Sequence, residues 1–443
     1  MEDRSLFEKE KSLPTTIFEW IYIFLFWVLV ANVIVTGPDR FLSFAVGSFS
    51  ISFRIIIAFL LLIFFLINCI INKTIPFTVF KLRLFLILFI FSFVFSFVLG
   101  SFNVGISLAF SDSKNLLFFA LVFPSYDLFE KRMVSRKQIF YFSSLCSLVV
   151  SLLCLAFFVY LSINQISQYD INSFWASHYP STGFGFRPNY GVYFDGLFFS
   201  TLLFAPNLYI AFTQKSKTKR CFSLIVSVIN LLAVLQSQTR SYYLLIVLAS
   251  IWIVCLIVSK YKKEREQLNL PFFSRKFAAL VLSAMLLAIT ICFLLAKFGF
   301  LDRLFQGDNT SDSIREQFIK DALVEVFSFP FFIGKGFGFQ LPSKGSFHLE
   351  ISLLEILLKQ GFLGFTMWAI PFVFAFFNKI QNIEKIDRDV SLLVVFSVYF
   401  LSLFNPYLTS VSGIFTIILG MSVFLVKDDS MINKESEKVC IRR

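Results

Sequence analysis

Apolar residues recur in long unbroken runs along this chain, and polar residues gather in short clusters between them. Runs near 17–36, 51–71, 83–100, 114–129, 139–161, 191–212, 221–237, 241–259, 277–297, 361–378, 389–404 and 411–427 each approach the roughly 20 residues that a helix needs to cross a bilayer. Helices are required there, because lipid offers no partner to an unpaired backbone N–H or C=O. The run at 114–129 is the weakest, being short and carrying Asn115. The pattern predicts an all-α polytopic membrane protein of about twelve transmembrane helices, a single integral membrane domain over 1–443.

Composition agrees. The chain is 57% hydrophobic and 15% charged, against about 25% charged in a soluble domain. Its mean hydropathy is +0.78. Phe contributes 64 residues, which suits a lipid-facing surface and implies no binding function.

The net charge of +12 does not call for nucleic acid. If both termini lie on one inner side, 28 of the 40 Lys and Arg fall in the termini and inner loops, the bias expected of cytoplasmic loops. The seven cysteines (Cys69, Cys146, Cys154, Cys221, Cys255, Cys292 and Cys440) fall in spans, at inner edges or in the C-terminal tail. That leaves no extracellular disulfide framework, and none has metal-ligand spacing. The N-terminal apolar run lacks a small-residue cleavage site and reads as the first span.

Two outer loops are long, about 162–190 and 298–360. They are rich in aromatics and poor in charge runs, which argues against disorder. In the later loop, Ser313 and Glu316 have capping-box spacing. Ile314, Phe318, Ile319, Ala322, Leu323 and Val326 follow with helical period. An amphipathic helix is predicted over 313–328, with Arg315 in its first turn. A guanidinium beside free helix N–H groups favours an anion, whereas a solvated ion pair is the plainer use of the same residue.

The stretch Gly334-Lys335-Gly336-Phe337-Gly338 lacks a P-loop ending. It reads as a tight backbone turn that admits a ligand closely. The two histidines, His178 and His348, both fall in the long outer loops, and His suits proton transfer near neutral pH. Glu350 and Glu355 precede a span, where each is functional or paired with a neighbour such as Lys359. Arg240 sits in the short turn Thr239-Arg240-Ser241. Arg187 precedes a span carrying Asp195, and Arg54 opens the second span. Charges at membrane depth are costly and are functional candidates, although snorkelling accounts readily for Arg54. Convergence of Arg187, Arg240 and Arg315 would make an anion site.

These residues in this order resemble the O-antigen polymerase and O-antigen ligase superfamily of bacterial surface polysaccharide assembly. The resemblance is carried by the twelve-span layout with a late outer loop and by Thr239-Arg240-Ser241. It is also carried by Arg315 followed by Ala322-Leu323 and the glycine run, by His348 before Gly361 and Gly364, and by Asn405-Pro406-Tyr407-Leu408. The chain departs from the ligase pattern, since Glu350 occupies the position of the family's His. That tilts the reading toward polymerase.

The resemblance implies a membrane glycosyltransferase acting on the periplasmic face of the bacterial inner membrane, inverting and metal-independent, with no cofactor. Its donor would be an oligosaccharide repeat unit on undecaprenyl diphosphate, for O-antigen or capsule. His348 or Glu350 would be the base, and Arg187, Arg240 and Arg315 would hold the diphosphate. A chain-length regulator and a flippase would be its partners. Transfer of the finished glycan to lipid A core, as by a ligase, is the alternative. A lipid-linked glycan flippase or transporter is the alternative of another class, set against the lack of a visible internal repeat.

Overall fold

The computed structural model describes residues 17–36, 43–46, 49–72, 80–178, 183–187, 190–267, 309–328, 331–341, 349–377 and 385–425. The chain opens with α1 (Ile17–Thr36), a short hairpin of β1 (Ser43–Val46) and β2 (Phe49–Ser52), α2 (Phe53–Asn72) and α3 (Phe80–Val104). The next span is broken into α4 (Ile106–Ser113), a 3-10 stretch (Lys114–Leu121) and α5 (Val122–Glu130). Then come α6 (Arg136–Ile163), α7 (Gln168–His178), a hairpin of β3 (Phe184–Phe186) and β4 (Val192–Phe194), α8 (Leu197–Thr213), α9 (Lys217–Gln236) and α10 (Arg240–Gln267). The last described elements are α11 (Asn309–Phe327), α12 (Ser352–Phe377), α13 (Lys385–Leu401) and α14 (Val411–Leu425).

Among the described residues, eight helical runs are long and apolar enough to cross a membrane. The helices α8, α13 and α14 are shorter, with 17, 17 and 15 residues. The protein is an all-α polytopic membrane protein, as the apolar pattern predicts. The expected span at 277–297 lies outside the described residues. Several boundaries differ from expectation. The span placed at 191–212 begins as helix only at Leu197, because Val192–Phe194 pair with Phe184–Phe186 as a hairpin. The span placed at 361–378 begins at Ser352.

The centre of the bundle is α8. Every residue from Leu197 to Ala211 is buried, as expected of a helix that is apolar all round. It packs on α6, α9, α10 and α13. Because lipid is as apolar as leucine, small polar residues add the specificity at these interfaces. Ser151 donates to Asn230 Oδ1 at 2.8 Å, and Asn207 Nδ2 donates to Ser144 Oγ at 2.9 Å. These bonds tie α6 to α9 and to α8. At its other end α6 starts on a capping box, Ser135 with Gln138.

The described residues of the first long loop are folded. Asn172 both donates to Phe186 O and accepts from Phe186 N, each at 3.1 Å, which clamps α7 to β3. Trp175 packs on Phe157, Phe184 and Phe186.

Helix α12 is broken at Gly361, whose φ of 63° is left-handed. A break in a spanning helix frees backbone groups that must find partners. The segment 331–338 supplies them. Lys335 N donates to Leu358 O at 2.8 Å and Gly336 N to Lys359 O at 2.9 Å; Phe362 N and Leu363 N donate to Phe331 O and Phe332 O. The glycine run is therefore a tight turn, but what it admits is the protein's own backbone. A side chain at Gly336 would meet Gly100 N at 2.2 Å, and one at Gly334 would meet Gly361 N at 2.5 Å.

Candidate functional site at the hairpin end of the bundle

The hairpin β3–β4, the turn between α9 and α10, and the segment between α13 and α14 meet at one end of the bundle. Gln236, at the last turn of α9, pairs with Val192 as a strand would. Its Nε2 donates to Val192 O at 2.9 Å and its Oε1 accepts from Val192 N at 2.7 Å. Gly191 is wedged between the two segments: an added Cβ would lie 2.9 Å from Gln236 O, 3.0 Å from Gln238 Nε2 and 3.0 Å from Arg187 Cβ. Tyr190 and Gln238 hold positive φ values of 62° and 53° beside this contact. Such backbone is costly in non-glycine residues and clusters at functional sites.

Three tyrosines lie beneath. The Tyr242 and Tyr407 hydroxyls are 2.5 Å apart, and the Tyr193 hydroxyl reaches both. Tyr193 also donates to Asp195 Oδ1 at 2.6 Å, and the Tyr407 ring stacks on Phe198 at 4.2 Å. Burial pushes the Tyr193 and Tyr407 hydroxyls well above the usual tyrosine range, and Asp195 beside them adds to it. They are neutral hydrogen-bonding groups at physiological pH, not bases.

Arg187, Arg240 and Glu350 lie on or beside segments that meet at this end. Arg187 is exposed, with its guanidinium 5.8 Å from the Tyr193 ring centroid. Arg240 is half-buried at the first residue of α10. A cation there adds to the positive helix N-terminus instead of offsetting it, which makes the position favourable to an anion. Next to it, Ser241 Oγ accepts from Asn405 Nδ2 at 3.0 Å. Asn405 O in turn accepts from Ser352 Oγ at 3.0 Å, and Ser352 Oγ accepts from Leu408 N at 3.2 Å. These bonds join the Arg240 turn to the Asn405-Pro406-Tyr407-Leu408 segment and to the start of α12.

Glu350 lies two residues before Ser352. It is half-buried and lines a cavity of about 240 Å³ with Phe318, Ile319, Leu349, Leu354, Leu403 and Phe404. Leu403 also lines an apolar groove of about 250 Å³ between α12 and α13, formed by Leu353, Phe365, Phe372, Phe396 and Phe400 among others. The carboxylate thus lines one of two neighbouring cavities that share Leu403.

Other expectations need correction or fall outside the described residues. His348 is outside them, and so is the side chain of Arg315. Helix α11 begins at Asn309, so Arg315 occupies its second turn, not its first. Ser313 is then interior to the helix and Glu316 pairs with Lys320 at 2.7 Å, so the Ser313–Glu316 spacing does not mark the helix start. Ala322 and Val326 do form the buried face, packing on Leu341, Leu349 and Leu358. Arg54 does not snorkel. It is buried and donates to Thr36 Oγ1 at 2.8 Å, joining α1 to α2. Glu355 does pair with Lys359, at 2.5 Å, inside the bundle, and Asp112 completes the cluster at 2.8 Å from Lys359. Asp112 also accepts from Gly338 N at 2.6 Å, so this buried triad anchors the glycine run.

The sequence singled out Arg187, Arg240 and Glu350 but passed over the tyrosine cluster and Asp112. An acid among the apolar residues of 106–121 was the available signal for Asp112. Tyr407 lay in the Asn405-Pro406-Tyr407-Leu408 motif, but nothing distinguished Tyr193 and Tyr242 among 14 tyrosines.

Residues 225–369 match a protein-family model described as O-antigen ligase. The matched segment contains Arg240, Arg315 and Glu350; Arg187 and Asn405 lie outside it. The chain is also similar to an O-antigen polymerase of Shigella flexneri, 26% identical over 257 residues, covering 56% of this chain and 56% of that protein. The match thus spans little more than half the length of that relative.

Proposed function

We propose that this chain belongs to the O-antigen polymerase and ligase superfamily and is a polymerase that joins lipid-linked oligosaccharide repeat units; the similarities of residues 225–369 and to the Shigella flexneri polymerase support this reading. The donor is a glycan on undecaprenyl diphosphate, and the hairpin end of the bundle faces the periplasm, with both termini cytoplasmic in the inner membrane. The observation that carries this reading is the linkage of the Arg240 turn to the segment after Glu350 through Ser241, Asn405 and Ser352. It gathers anion-binding and proton-accepting chemistry at the mouth of an apolar groove.

In this mechanism Glu350, or His348, takes the proton of the acceptor hydroxyl. The acceptor oxygen attacks the anomeric carbon from the face opposite the diphosphate. The bond to the diphosphate oxygen breaks, and its electrons leave with the diphosphate. Arg187, Arg240 and Arg315 stabilise the negative charge that gathers there, and the arginine fork suits phosphate oxygens. The groove between α12 and α13 holds the polyprenyl tail. A flippase would deliver the donor, and a chain-length regulator would set the extent of reaction.

A ligase reading is favoured by one finding, the family description matched by residues 225–369. Deleting the gene in its host and running the surface polysaccharide on a gel separates the two. A single repeat unit on lipid A core with the ladder gone supports the polymerase. Long glycan retained on the polyprenyl carrier, with bare core, replaces it with the ligase, and an unchanged ladder overturns both.

A further inference from the structure

The outward face of α11 changes character along its length. Among its described side chains up to Asp321, the exposed ones are Ser313, Glu316, Gln317 and Lys320. Among those described from Ala322 to Leu341, the exposed ones are Leu323, Val324, Phe327 and Phe332. The last three of these are 71%, 73% and 69% exposed. The inward face, with Ala322 and Val326, packs on Leu341, Leu349 and Leu358. The helix thus presents a polar half and then an apolar half to its surroundings.

The backbone that follows fixes the depth of the apolar half. Gly336 N donates to Lys359 O of α12 at 2.9 Å, and Phe337 N donates to Ser96 O of α3 at 3.1 Å. Both helices are long and apolar enough to span. Ser96 is 8 residues from the end of α3 at Val104, and Lys359 is 7 residues from the start of α12 at Ser352. Each distance is about 10–12 Å at the usual helical rise. The two helices run in opposite directions, with Phe89 against Trp368 further along, so they report one depth from the same end. Gly338 then lies back toward that end, where an added Cβ would meet Val104 Cγ2 at 2.8 Å.

At this depth Phe362 is 46% exposed on α12. Its ring meets those of Phe331 and Phe332 at 6.1 and 6.3 Å. The exposed side of a spanning helix well within its length faces a hydrocarbon core about 30 Å thick, and Phe332 shares that side. We propose that the second half of α11 and residues 331–338 form a re-entrant segment, with Leu323, Val324, Phe327 and Phe332 seated among lipid acyl chains. The non-helical backbone satisfies the bilayer's demand because it is bonded to α3 and α12. Glu325 and Lys335 are carried at this depth as a pair, at 3.4 Å. A protein partner would call for a polar rim, whereas this surface runs on, still apolar, to a spanning helix. Phe318 and Ile319, just before the step, line the cavity that holds Glu350, which sets that cavity at the bilayer surface. The inference rests on α3 and α12 spanning the membrane and not on glycosyl transfer.

The test is photo-cross-linking of the full chain in its host membranes, with p-benzoylphenylalanine at one position per variant, read as the intact mass of the purified protein. Phe327→p-benzoylphenylalanine and Phe332→p-benzoylphenylalanine should each gain the mass of one phospholipid, in a yield comparable to the same replacement of Phe91, which is 60% exposed on α3. The same replacement of Lys320 should give no such adduct. Cross-links from 327 and 332 to protein, whether a second copy or another chain, overturn the proposal. So does the absence of lipid adducts at both while Phe91 gives them, and so do equal lipid adducts at Lys320, which would lay the whole helix in lipid.

Discussion

The Asn405 side-chain amide donates to the Ser241 hydroxyl at 3.0 Å, across 164 residues of chain. Ser241 follows Arg240, and Asn405 precedes the Tyr407 of the tyrosine cluster. One bond therefore sets the Arg240 turn against the segment that is also bonded to Ser352 at the head of α12.

Asn405→Ala should lower glycan polymerisation more than it lowers stability. Loss of one such hydrogen bond costs about 1 kcal/mol of folding free energy, while an ångström of displacement at a reacting centre costs about a hundredfold in rate. Ladder intensity in complemented deletion cells, set against the amount of protein in the membrane, measures both. A loss of ladder in proportion to lost protein would contradict a positioning role.

Arg240→Ala should abolish the ladder while lipid-linked units still reach the outer face, and Arg240→Lys should recover little. Removal of a group that stabilises developing charge costs about 10²–10³ in rate, and lysine lacks the planar fork. Surface labelling of accumulated lipid-linked units reads the result. Units trapped on the inner face would instead favour transport.

The Lys359 ammonium holds Asp112 and Glu355 inside the bundle, with all three side chains almost fully buried. Lys359→Met leaves two carboxylates uncompensated and should destabilise by about 3–5 kcal/mol. Adding Asp112→Asn and Glu355→Gln should restore much of the loss. Thermal unfolding of the purified protein in detergent checks this; a Lys359→Met protein as stable as wild type would show that the cluster is not ion-paired.

Gly361→Ala should fail to accumulate in the membrane. The residue has a positive φ, and an added Cβ would lie 2.4 Å from Phe332 O, on backbone that cannot move away without losing the bonds across the break in α12. Strain and overpacking together cost about 3 kcal/mol or more. Immunoblotting of membranes at two growth temperatures should find less protein, with the greater loss at the higher one.

Tyr193 provides a pH test. Its hydroxyl is held above the usual tyrosine value of about 10. The folded state therefore favours the protonated form. That contribution to stability is intact below the unfolded value and is lost only as pH rises past it toward the folded one. Tyr193→Phe should reduce turnover by removing the donor to Asp195, yet leave the shape of the pH–rate profile unchanged between about pH 6 and 9. A lost basic limb in that window would make Tyr193 a titrating catalytic group.

The spanning helices were legible in the sequence because a bilayer demands long apolar runs, and Arg240 was legible because a charge in a short turn between two such runs stands out. What escaped depends on contacts distant in the chain. Val192–Phe194 is as apolar as the helix that follows, so its pairing with Phe184–Phe186 could not be read from hydropathy. Gly361 marked a boundary by composition, but Phe331, Phe332, Lys335 and Gly336 satisfy the backbone there and allow the helix to begin at Ser352. Asp112 meets Lys359 across 247 residues, and no local spacing records such a pair.

The most direct measurement is chain growth by the purified protein in liposomes, given lipid-linked repeat units as both donor and acceptor and read as a ladder on a gel. Wild-type protein should extend the units into a ladder with release of undecaprenyl diphosphate, and Arg240→Ala should leave single units. A ladder of equal length from the Arg240→Ala protein, or no extension by folded wild type, would contradict a polymerase built around this site.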